Sequence, residues 1–199
     1  YRAAGTITIA GTSTTPAVLT IEPGTEIQFP NGTQLIIGSG TNLGALIAQG
    51  TPALPILFTR VSGNWYGIYF SDTTVDQTSI LEHAIVEGGG YSGSANVTMS
   101  SSSPTIRNST LRNSLNYGLR LLNNAAPLVE MNTIQENQTG VYLANASPTI
   151  QNNTIQNNTQ ASALIDLLGL EATFTGNTYT GNGGNNTIQI QSGTLAQSK

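Results

Sequence analysis

Apolar residues two apart, separated by polar ones, recur in short bursts along the chain, and the bursts themselves repeat. SPTIRNSTLRNS starts at Ser103, APLVEMNTIQEN at Ala126, SPTIQNNTIQNN at Ser147 and EATFTGNTYTGN at Glu171, which sets steps of 23, 21 and 24 residues. Each unit carries a second match: NYGLRLL at Asn116, QTGVYLA at Gln138, SALIDLL at Ser162 and NNTIQIQ at Asn185. Upstream, YGIYFS at Tyr66, LEHAIVEGG at Leu81 and ANVTMS at Ala95 fit the same pattern. Two-residue spacing is the strand period, with one face inward and one outward. No 3.6-residue period persists, and Asn, Thr, Gly and Pro are poor helix formers.

Stacking the units predicts four apolar columns. They are Ile68, Val97, Leu119, Val141, Ile165 and Ile188; Phe70, Met99, Leu121, Leu143, Leu167 and Ile190; Leu81, Ile106, Val129, Ile150 and Phe174; and Val86, Leu111, Ile134, Ile155 and Tyr179. Like residues recurring once per turn are what a solenoid needs, because each coil buries the apolar face of its neighbour. The fold expected is all-β: a single parallel β-helix of about eight coils. An antiparallel sandwich is the weaker alternative. One domain spans 1–199, with less regular coils in 1–65, regular repeats in 66–192 and a short tail in 193–199. In the first part, TITIAG, VLTIEPGTEIQF, QLIIGSG, ALIAQG and PILFT read as short strands between Gly and Pro.

Composition narrows the classes. Of 199 residues, 38 % are hydrophobic and only 8 % charged, which argues against a disordered chain. A net charge of −4 with six Lys and Arg leaves no footprint for nucleic acid. Without Cys there are no disulfides, thiolate chemistry or Cys-held zinc. No apolar run is long enough to insert in a membrane. A start on Tyr1 rather than Met is what a processed chain or a fragment gives.

SPTIQNNTIQNN and TGVYL resemble the repeat of right-handed parallel β-helix proteins, the superfamily of pectate lyases, polysaccharide epimerases, phage tailspikes and many surface proteins. LTIEPGTEIQF, LIAQGTPALPILFT, NWYGIYF and LEHAIVEGGG resemble its bacterial or archaeal surface and secreted members. The resemblance runs from about Leu19 to Ile190. It implies the right-handed coil and an extracellular or cell-surface location, but no particular activity, since one scaffold hosts many.

Outward columns supply the candidate chemistry. Glu82, Arg107 and Glu130 alternate in sign, and Glu87 lies beside Arg112; both sets predict inter-coil ion pairs, with a sugar-acid site as the functional alternative. Tyr69, Arg120, Tyr142 and Asp166 share an outward column, a candidate glycan-binding face because aromatic rings beside polar groups suit sugars. Asn132, Asn153 and Asn177, below Ser109, and Asn137, Asn158 and Asn182 predict amide ladders at the turns. Thr110, Thr133, Thr154 and Thr178 form a hydroxyl row. His83, whose counterparts are Asn108, Met131, Asn152 and Gly176, reads as a turn residue rather than a base. Asp72 and Asp76 do not make a calcium site alone. Triplets at Asn31, Asn96, Asn108, Asn137, Asn145, Asn152, Asn157 and Asn185 match the N-glycosylation acceptor pattern, which an Asn- and Thr-rich repeat also produces by composition.

No catalytic constellation or cofactor is expected. The function expected is a non-enzymatic structural or adhesive surface protein, whose partners are copies of itself end to end in a filament, flanking domains of a longer chain, or polysaccharide. The alternatives are a polysaccharide-binding or lyase-like β-helix, and an ice-binding surface on the Thr row.

Overall fold

The computed structural model describes residues 1–169 and 171–191. Every ladder between its strands is parallel, and the strands wind into seven complete coils and the first strand of an eighth. Coil 1 comprises Ile7–Ile9, Ala17–Ile21 and Glu26–Phe29; coil 2, Gln34–Ile37, Gly44–Gln49 and Ile56–Arg60; coil 3, Gly67–Phe70, Ile80–Glu82 and Ala84–Glu87. Coil 4 comprises Ala95–Ser100, Thr105–Arg107 and Thr110–Arg112; coil 5, Tyr117–Leu122, Leu128–Glu130 and Thr133–Gln135. Coil 6 is Thr139–Ala144, Thr149–Gln151 and Thr154–Gln156; coil 7 is Ala161–Ile165, Thr173–Thr175 and Thr178–Thr180; Ile188–Ile190 opens the eighth. The first strand of each coil joins an eight-stranded sheet 1, the second a seven-stranded sheet 2, the third a seven-stranded sheet 3.

The core is the inward face of all three sheets. Leu81, Ile106, Val129 and Ile150 pair rung to rung on sheet 2, and Val86, Leu111, Ile134 and Ile155 on sheet 3; all eight are buried. Fully burying such side chains is worth about 1.5–3 kcal/mol each. Trp65 fills the corner between sheets 3 and 1. It stacks on Phe29 at 4.3 Å and donates its indole N–H to the Glu87 carbonyl at 2.9 Å.

Turns between strands are tight because one residue takes the left-handed conformation. Between sheets 2 and 3 these include Gly24, His83, Asn108, Met131, Asn152 and Gly176; between sheets 3 and 1 they include Gly88, Asn113, Glu136, Asn157 and Gly181. Asn and Gly visit that region most cheaply. The residue that follows each of Asn108, Met131, Asn152 and Gly176 turns inward: Ser109, Asn132, Asn153 and Asn177.

In coil 7 the sheet 1 register differs from expectation. Ala163, not Ile165, follows Val141, and Ile165, not Leu167, follows Leu143. A two-residue slip keeps every side chain on its expected face, so alternation alone cannot detect it. Four residues (157–160) lead into this strand where three (136–138) lead into the one before. Leu167–Gly169 is instead a short 3-10 turn.

Candidate functional site

The outer face of sheet 1 gathers tyrosines around one arginine. Its central column reads Ile36, Tyr69, Thr98, Arg120, Tyr142, Leu164 and Gln189. Tyr69, Arg120 and Tyr142 therefore align as expected, over about 14 Å at ~4.8 Å per rung. Asp166 does not belong to the column. The register slip puts Leu164 there, and Asp166 follows at the strand's end. Its carboxylate accepts backbone N–H groups of Asn145, Leu168 and Gly169 at 2.8–3.1 Å, so it ties a turn.

Tyr117 joins this face without having been expected there. Its ring stacks on Tyr142 at 4.8 Å, and the Arg120 guanidinium carbon lies 6.0 Å from the Tyr117 centroid and 5.9 Å from that of Tyr142. The signal in the sequence was an aromatic residue at a rung position held by Thr139 and Ala161 in the next coils. Arg120 Nε and Thr98 Oγ1 are buried without a hydrogen-bond partner. The ion pairs among the described residues use Arg107 and Arg112, leaving the Arg120 cation to the two rings. Burial pushes the Tyr142 phenol above its usual value, against a smaller pull downward from Arg120. At the other end of the column, a cleft of about 360 Å³ is lined by Tyr69, Gln34, Ser71 and Asp72.

On sheets 2 and 3, Arg107 and Arg112 each pair with a glutamate of the coil before. Arg107 Nε lies 2.8 Å from Glu82 Oε1, its NH2 donates to Oε2, and Gln49 adds a bond from the coil before. The Arg107 bond holds the Glu82 carboxyl below its usual value. Glu130 makes no ion pair with Arg107; it accepts from Gln151 at 3.0 Å, so the expected three-residue alternation stops after one pair. Arg112 donates to Glu87 at 2.8 Å, and Thr59 completes that carboxylate. His83 is a turn residue at φ 46°. Asp76 accepts the Ser103 N–H, and burial raises its carboxyl.

Two amide ladders occupy the corners. In one, Asn132, Asn153 and Asn177 pass bonds along successive coils, and Ser109 N–H donates to Asn132. The other runs Asn137, Asn158, Asn182 and is extended at its two ends by Asn96 and Asn186, which the repeat did not reveal. Among the glycosylation triplets, Asn96 and Asn137 are buried in this ladder. Asn31, Asn152 and Asn157 are exposed, and Asn108 and Asn145 are half-buried. The side chain of Asn185 lies outside the described residues, as does the tail 193–199. Thr110, Thr133, Thr154 and Thr178 do align on the outer face of sheet 3.

The family model described as "Right handed beta helix region" matches residues 56–197. Searches of curated proteins and of solved structures each find no match.

Proposed function

The chain belongs to the right-handed β-helix family, and from that premise we propose that it is a non-enzymatic adhesive protein of the cell surface or extracellular space that holds polysaccharide along the outer face of sheet 1. The observation that carries this is the Arg120 guanidinium lying beside the stacked Tyr117 and Tyr142 rings, with no ion pair to a carboxylate among the described residues. Rings offer flat apolar faces to sugars, and the cation offers donors to their oxygens. Tyr69 and the cleft beside it continue the same face.

Binding rather than catalysis is supported by where the carboxylates go. Glu82 and Glu87 are held by arginines and Asp166 by backbone N–H groups, which leaves Asp72, exposed in the cleft beside Tyr69, without a second carboxyl lining that cleft. General acid–base work needs a carboxyl within reach of a substrate proton.

A glycan array probed with wild type, Arg120→Ala and Tyr142→Ala tests the proposal. Binding by wild type that falls at least about tenfold in each variant is expected, a loss of roughly 1.4 kcal/mol. No binding by wild type, or binding that both variants retain, would refute it.

A further inference from the structure

A second site lies at the corner between sheets 3 and 1, away from the tyrosines. There the connecting segments change length: residues 61–66 and 88–94 follow coils 2 and 3, but only 113–116 and 136–138 follow coils 4 and 5. The longer segments stand as a wall beside the shorter turns, and the step between them is a cleft of about 390 Å³. Arg60, Asn64, Asn113, Ser114, Leu115 and Glu136 are among its lining residues.

Its charges are arranged in a particular way. Arg60 is fixed: its NH1 donates to the Gly63 carbonyl and Asn64 Oδ1, and its stem lies across Gly88, where a Cβ would come within 2.6 Å of Arg60 Cδ. Glu87, also at the cleft, is neutralised by Arg112. The Glu136 carboxylate is exposed and has no hydrogen bond or ion pair among the described residues. Glu136 also takes the left-handed conformation at φ 56°, in a column otherwise filled by Gly88, Asn113, Asn157 and Gly181. A glutamate is an unfavourable choice there, and an unfavourable backbone at a cleft wall is where function is to be sought. Leu115, 57 % exposed, adds an apolar contact.

We propose that this cleft binds a peptide in the polyproline II conformation carrying a basic and an acidic residue three positions apart, the basic side chain on Glu136 and the acidic one on Arg60. Gly88, under the Arg60 stem, and Glu136 are two rungs apart, about 10 Å, which a polyproline II chain covers in about one three-residue turn, keeping positions i and i+3 on the same face. The fixed cation and free anion match opposite charges on a partner, and the Asn and Ser groups match its backbone.

Titration of the folded protein with octapeptides tests the site, using Lys-x-x-Glu, Glu-x-x-Lys, Lys-x-x-Lys and Glu-x-x-Glu cores, with the variants Glu136→Asn and Arg60→Gln. One of the two mixed-charge orders should bind best. Each variant should weaken it roughly three- to fivefold, as partly exposed ion pairs do, while Glu136→Asn keeps or raises the thermal midpoint. Equal binding of like-charged peptides, no peptide binding, unchanged binding in Glu136→Asn, or occupation of the cleft only by a polysaccharide with amino and acidic sugars would overturn it.

Discussion

Asn137 illustrates how single residues hold this solenoid together. Its Oδ1 accepts the Ser114 N–H at 2.9 Å, and its Nδ2 donates to the Leu111 carbonyl at 3.1 Å and Asn158 at 3.0 Å. Buried polar groups left unpaired cost about 1–3 kcal/mol each. Asn137→Ala should therefore destabilise by about 2–4 kcal/mol in urea unfolding, and glycan should not be found on Asn137 or Asn96 of folded protein. Left-handed positions predict the opposite sign. Met131→Gly and Glu136→Asn should stabilise by up to about 1 kcal/mol, since both residues sit at φ above 50°. Two carboxylates give opposed pH effects. Glu82 has a lowered folded pKa, so its stabilisation is present above its ordinary value of 4.5 and fades as pH falls through the folded value. Asp76 has a raised folded pKa, so its charged form is penalised and stability falls as pH rises from its ordinary 3.8 through the folded value. Unfolding of Glu82→Gln and Asp76→Asn between pH 3 and 7 should show each variant losing its own dependence; unchanged profiles would count against these assignments.

At the scale of strands and turns, most of the architecture was legible in the chain. The sheet 2 and sheet 3 columns from Leu81 and Val86 follow directly from alternation and a step near 22 residues, and the N-terminal strands lie where Gly and Pro bracket them. What alternation could not fix was the coil 7 register, because a shift by two preserves both faces. The misplacement of Asp166 followed from that. Nor could the repeat reveal which side chains meet across a corner. Asn96 completes an asparagine ladder from a rung position occupied by Gly118 and Gly140 in later coils. Those glycines exist because the ladder lies against them: a Cβ on Gly118 would come 2.7 Å from Asn137 Nδ2 and from Ile134 Cγ2. Gly118→Ala should therefore cost about 1–3 kcal/mol, by overpacking rather than by backbone conformation, as a lowered thermal midpoint would show.

Across the whole molecule, each sheet presents a different outer face on one continuous core. Sheet 2 carries the Glu82–Arg107 pair, sheet 3 the Thr row and the Glu87–Arg112 pair, and sheet 1 the tyrosines with Arg120. Among the described residues, the cation that lies against aromatic rings is the one on sheet 1, and this is why the proposed binding face is placed there. The Tyr117 contribution was hidden in the sequence because its strand parity points inward, while its place at the strand's start lets the ring reach Tyr142. The most direct measurement is a crystal structure of the protein with the oligosaccharide that binds best on an array. The sugar chain is expected along the solenoid axis over Tyr69 to Tyr142, with an oxygen on the Arg120 guanidinium. A sugar seated on another face, or none on sheet 1 at saturating concentration, would contradict the account.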